Sequence, residues 1–225
     1  MHGTGLTPDE VRVVRVSLAG DAGAGGELLS PDERARADRF RRPELRRRYA
    51  IAHAALRVEL SRAVGCAPGE LVFAEGEHGK PSLVVPECDV QFNLSHSGEH
   101  AVIALTRERA VGVDVEHLRP VRATAIARRF FAPSEFAALE RLQGADRDRA
   151  FLRCWTRKEA WVKGLGQGLR VSLSSFEVGV EPGSVRLVRG TEEWTLRDLS
   201  PDPRTVACVA AQGAGWRLVE SQPDA

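Results

Sequence analysis

A chain of 225 residues, 43% hydrophobic and 28% charged, is long enough for one large domain or two of about 110 residues with a sizeable core. Its 32 Lys and Arg against 31 Asp and Glu leave a formal net charge of +1. No global field points to nucleic acid or an anionic membrane, and an acidic partner must be met by a local patch. The first thirty residues carry Asp9, Glu10, Arg12, Arg15, Asp21 and Glu27 without the apolar core of a secretory signal, and no later run approaches membrane-spanning length. A cytoplasmic protein is expected. Cys66, Cys88, Cys154 and Cys208 form no C-x-x-C pair and read as small buried hydrophobes.

In chain order, Val11–Leu18 has strand composition, and Gly20–Gly26 reads as a flexible loop. Ser30-Pro31-Asp-Glu33 predicts a capping box opening a helix to about Phe40. A second helix is expected from Pro43 to Val64, with Leu45, Tyr49, Ala52, Leu56 and Leu60 on its apolar side. Arginines crowd both helices, and Arg48, at the boundary of the apolar stripe, is the best candidate to hold a phosphate bidentately. Strands follow at Leu71–Ala74, Ser82–Val85, Val90–Leu94, Ala101–Thr106 and Val111–Val115, with Lys80 in the Gly79–Pro81 turn. A basic segment runs from Leu118 to Phe131, a helix starts at Pro133, and another runs from about Asp146 to the glycines at 164 and 166. Strands are expected near Ser175–Val180, Ser184–Val188, Glu193–Leu199, Thr205–Ala210 and Trp216–Val219, with a frayed end at Gln222–Ala225. The class is α+β, with helices packed on mostly antiparallel sheets.

Three stretches carry chemistry. Strand periodicity puts Val111, Val113 and Val115 on one face, and Gly112, Asp114 and Glu116 on the other. Two neighbouring carboxylates repel unless a cation lies between them, which suits Mg²⁺; two exposed acids at a strand end are the alternative. On the helical wheel Leu152, Trp155, Glu159, Val162 and Lys163 share a face, so Glu159 needs a partner, although an ordinary i,i+4 pair with Lys163 also fits. Only three of the chain's 32 basic residues are lysines, and Lys158 and Lys163 both lie in this helix. Phe92-Asn-Leu-Ser-His-Ser-Gly98 leaves a strand into a turn where Ser95 and His96 offer donors to an anion. No nucleophile motif or phosphate loop accompanies these groups, and a Mg²⁺-dependent reaction at a pyrophosphate or phosphodiester suits them best.

Val111-Gly-Val-Asp-Val-Glu116 and Trp155-Thr-Arg-Lys-Glu-Ala-Trp-Val-Lys163 resemble the paired signatures of the 4′-phosphopantetheinyl transferases. Phe92–Gly98 and Gly79-Lys-Pro81 match that family's upstream motifs. The length resembles the larger, monomeric, surfactin-synthetase-activating type, which implies two similar α/β halves related by a pseudo-twofold, here 1–108 and 109–225, with the active site in the cleft between them. The resemblance implies coenzyme A as donor, a serine of an apo acyl or peptidyl carrier protein as acceptor, and 3′,5′-ADP as the other product. It implies Mg²⁺ on Asp114, Glu116 and Glu159, Glu159 as base directly or through a water, and Lys163 on the leaving phosphate. Ser95, His96 and Lys80 would meet the coenzyme A phosphates, and Arg48 its 3′-phosphate or adenine end. Relatives often place lysines on the first helices, where this chain has Arg34 and Arg36. The segment Arg119–Phe131 would dock an acidic carrier. A carrier-binding module without chemistry and a Mg²⁺-dependent coenzyme A pyrophosphohydrolase use the same parts.

Overall fold

The computed structural model describes residues 5–20, 23–189, 192–199 and 202–222. Strand β1 (Glu10–Ser17) is followed by a 3₁₀ turn at Gly23–Leu28, where a flexible loop was expected. Helix α1 (Pro31–Asp38) opens on the predicted capping box: the Glu33 N–H donates to Ser30 Oγ at 3.2 Å, and the Ser30 N–H donates to Glu33 Oε2 at 2.8 Å. Helix α2 (Pro43–Val64) ends at Gly65, whose φ of 76° requires the left-handed region. Strands β2 (Val72–Glu75), β3 (Pro81–Val85), β4 (Val90–Ser97), β5 (His100–Arg107) and β6 (Val111–His117) follow, then helices α3 (Ala123–Phe130), α4 (Pro133–Glu140) and α5 (Gly144–Leu165). Strands β7 (Ser184–Arg189), β8 (Glu192–Asp198), β9 (Thr205–Gln212) and β10 (Arg217–Ser221) complete the chain, and 223–225 of the expected frayed end lie outside the described residues.

Two further elements differ from the sequence expectation. Helix α3 lies inside the basic segment; it is short, and its helicity rests on burying Ala123 and Ala127 while Arg128 and Arg129 stay outside. The strand expected at Ser175–Val180 does not form. Side chains satisfy that backbone instead: the Val178 and Gly179 N–H groups donate to Glu135 Oε1, and Arg157 donates to the carbonyls of Val178, Gly179, Glu181 and Gly183.

The strands form a sheet of order β10-β1-β5-β4, a sheet of order β6-β9-β8-β7 and a β2–β3 hairpin; every pairing is antiparallel except β1 with β10. Helix α2 lays Ala52, Leu56 and Leu60 on Val14, Val16, Phe92, Ile103 and Leu105 of the first sheet. Helix α5 lays Leu152, Cys154 and Ala160 on Trp194, Leu196, Cys208 and Ala210 of the second. Between the sheets, Val11, Val13, Val102 and Ala104 meet Val111, Val113, Val115, Val209 and Ala211, so the predicted valine face of β6 is buried. The fold is α+β. The expected boundary at 108/109 falls in the β5–β6 connection, and β10 crosses it to finish the first sheet.

Candidate active site

The two sheets adjoin along β4 and β6. Asn93, Ser95 and Ser97, at every second position of β4, all reach β6: Asn93 Oδ1 accepts the Val113 N–H at 2.9 Å, Ser95 Oγ donates to Asp114 Oδ1 at 2.8 Å, and Ser97 Oγ donates to Glu116 Oε2 at 3.0 Å. Ser95 and Ser97 sit in the strand rather than in the turn that the sequence suggested. On its other side β6 touches α5 backbone to backbone. A Cβ on Gly112 would lie 2.0 Å from the Ala160 carbonyl oxygen and 2.3 Å from the Gly164 nitrogen, so only glycine lets the helix come this close.

That approach brings the α5 residues Glu159 and Lys163 beside Asp114. Lys163 Nζ donates to Asp114 Oδ1 at 2.6 Å and to Ser95 Oγ at 2.9 Å. Asp114 is 5% exposed, and its second oxygen, Oδ2, is buried without a hydrogen-bond partner. Burial pushes the Asp114 carboxyl above its ordinary range, and the Glu116 charge adds to the rise against the pull of Lys163 and Ser95. Burial also raises Glu159, and the charges of Asp114 and Glu116 raise it further. Glu116 accepts from Arg119 at 2.9 Å as well as from Ser97. Among the described residues, no group of three or more His, Cys, Asp or Glu side chains is disposed to hold a metal ion by itself.

The opposite side of β4 presents His96 to a cavity of about 320 Å³, lined by Phe40, Leu45, Arg48, Tyr49, Ser97 and Gly98. Burial lowers the His96 pKa, and the Lys163 and Arg48 charges lower it further. Arg48 is already engaged: its Nε and Nη2 donate to Glu99 Oε1 at 3.1 and 2.6 Å. Lys80, expected near the phosphates, donates to the Val111 carbonyl at 2.9 Å and the Gly164 carbonyl at 3.0 Å, tying the hairpin to the start of β6 and the end of α5. Burial lowers its pKa to about 8. Arg34 donates to the Leu29 carbonyl, and the exposed Arg36 pairs with Glu75 at 3.5 Å. In the basic segment Arg122, Arg128 and Arg129 are exposed; Phe130 is exposed with Arg129 over its ring, whereas Phe131 is buried against Phe151.

Sequence reasoning missed Asn93, Ser97 and Glu99, although the polar period of two from Asn93 to Ser97 was a readable signal for the first two. It also left Lys158 without a partner. The Lys158 ammonium is fully buried, 2.7 Å from Glu135 Oε2, and donates to the Leu173 and Phe176 carbonyls. None of the described helices is long and apolar enough to cross a membrane.

Residues 110–209 match the family described as the 4′-phosphopantetheinyl transferase superfamily, and residues 23–108 match that described as 4′-phosphopantetheinyl transferase, N-terminal. The 4′-phosphopantetheinyl transferase HetI of a Nostoc species is 37% identical over 218 residues, covering 94% of this chain and 92% of the relative. A 4′-phosphopantetheinyl transferase of Bacillus subtilis is 31% identical over 187 residues, covering 81% and 82%. The 4′-phosphopantetheinyl transferase Sfp of the same species is 31% identical over 152 residues, covering 67% and 66%. With both stretches matched and nearly all of one relative spanned, this chain belongs to the 4′-phosphopantetheinyl transferase superfamily of enzymes.

Proposed function

We propose that the protein transfers the 4′-phosphopantetheine arm of coenzyme A to a serine of an apo acyl or peptidyl carrier protein, with Mg²⁺ at the acid cluster. The observation that carries this reading is the buried Asp114 carboxylate with one oxygen unpartnered, set beside Glu159, Glu116 and Lys163. A hard cation suits this donor set: Mg²⁺ binds carboxylate oxygens and completes its shell with waters and substrate phosphates, so a closed protein cage is not required. Asp114, Glu116 and Glu159 would hold it, and when bound it would draw charge from the pyrophosphate.

The acceptor hydroxyl attacks the phosphorus on the pantetheine side of the pyrophosphate. The new Oγ–P bond forms as the P–O bond to the nucleotide side breaks, and the electron pair leaves with 3′,5′-ADP. Glu159 takes the serine proton, directly or through a water. Lys163 uses two of its three N–H groups on Ser95 and Asp114; the third is directed to the leaving phosphate, whose charge it offsets. Ser95 and His96 border the phosphate path, and the cavity beside Arg48 receives the nucleotide end. An acidic carrier meets the exposed Arg122, Arg128 and Arg129 around Phe130, and Arg129→Glu is expected to raise KM for the carrier and leave coenzyme A binding unchanged.

Chromatography of the products tests the reaction class. Release of 3′,5′-ADP that depends on an apo carrier supports transfer, whereas free 4′-phosphopantetheine formed without a carrier identifies a pyrophosphohydrolase. Absence of both products leaves a carrier-binding module.

A further inference from the structure

Glu99 occupies the turn between β4 and β5, and its backbone is fixed: the Leu18 N–H donates to its carbonyl at 2.8 Å. Its side chain is a separate matter. One carboxylate accepts from two guanidinium groups, with Arg47 Nη2 at 3.1 and 3.0 Å from its two oxygens and Arg48 Nε and Nη2 both on Oε1. Arg48 lines the cavity together with His96, Tyr49 and Phe40, and Glu99 holds the arginine from outside that lining. The cavity's cation is thus oriented and, because Arg47 shares the same carboxylate, partly neutralised. A carboxylate–guanidinium pair this open to solvent is cheap to break, and a phosphate monoester dianion competes for a guanidinium fork better than a carboxylate does.

We propose that Glu99 is a specificity-determining latch on Arg48, a stand-in anion that the 3′-phosphate of coenzyme A must displace, so that it selectively lowers affinity for the 3′-phosphorylated nucleotide. The latch rests on the reading of coenzyme A as donor. A ligand without the 3′-phosphate has no reason to open the pair and neither gains from Arg48 nor pays for its release. Removing the Glu99 charge therefore acts only when the 3′-phosphate is present. A general field effect of one lost negative charge also favours the more highly charged coenzyme A, but added salt screens it, whereas a guanidinium freed for direct contact with the 3′-phosphate keeps its advantage.

Calorimetric titration of wild type, Glu99→Gln and Glu99→Ala with coenzyme A and with dephospho-coenzyme A, each at low and at raised salt, tests this without requiring turnover. The expected result is that both variants bind coenzyme A about three- to tenfold more tightly, with dephospho-coenzyme A changed by less than about twofold. Equal tightening for both ligands, tightening for coenzyme A that raised salt abolishes, or weaker binding of coenzyme A overturns the latch; the last outcome makes Glu99 a positioning residue for Arg48. Failure of wild type to bind either nucleotide brings down the coenzyme A reading itself, and the latch with it.

Discussion

Lys80 shows how one side chain can be read two ways. The sequence places it in a turn near a phosphate, while the structure gives its ammonium two carbonyls, one on β6 and one in the last turn of α5. A cation at a helix C-terminus satisfies an orphan carbonyl and the local dipole together. The contact fixes how α5 sits on β6, and with it the distance from Glu159 and Lys163 to Asp114. Lys80→Met is expected to lower kcat about tenfold or more while KM for coenzyme A stays within about twofold. A rise in KM alone in steady-state kinetics would place the ammonium on a phosphate instead. Glu33 gives a pH signature. Burial pushes its carboxyl up, but His53 at 3.5 Å, the Ser30 N–H and the Arg57 guanidinium outweigh this and hold it at about 2. A folded-state pKa below the ordinary 4.5 contributes stability that is present above about pH 4.5 and lost as pH falls toward about 2. Urea unfolding at stepped acidic pH is expected to show this loss, and Glu33→Gln to flatten it; an unchanged slope in the variant would contradict the assignment.

At the scale of elements, the close approach of β6 and α5 depends on two glycines that are not equivalent. A Cβ at Gly112 meets backbone, whereas at Gly164 the nearest atoms belong to the Trp194 ring, at 2.7 Å. Backbone cannot yield without moving an element, but a ring can tilt. Gly112→Ala is expected to cost about 3 kcal/mol or more and Gly164→Ala about 1–2 kcal/mol in chemical unfolding, with activity lost in the first. The reverse order would mean that the helix is free to slide. What the sequence disclosed and what it hid follow the same division. Asp114 with Glu116 and Glu159 with Lys163 are local pairs at i,i+2 and i,i+4, so periodicity alone grouped them. Ser97 with Glu116 and Glu99 with Arg48 depend on which strand edges and helix ends meet in space, and no local pattern gives that. Helix α3 escaped because its stability comes from packing rather than propensity, and the missing strand near Val178 because distant Arg157 and Glu135 take its backbone groups.

For the molecule as a whole, both halves use one device that the sequence did not disclose as a repeat. A short helix opening with proline carries a capping glutamate that reaches a buried cation in the following 22-residue helix: Glu33 with Arg57 in the first half, Glu135 with Lys158 in the second. Each pair ties a short helix to the long helix behind one sheet, and the two sheets meet along β4 and β6, where the acids, the lysine and the serines come together. The function proposed for this junction is carrier-dependent transfer. Intact-mass spectrometry of an apo carrier protein incubated with the protein, coenzyme A and Mg²⁺ tests it most directly, with EDTA and Glu159→Gln as controls. The carrier is expected to gain the phosphopantetheine mass in the complete mixture alone. A carrier left unmodified across fatty-acid, polyketide and peptide types, or modified equally by Glu159→Gln, would contradict it.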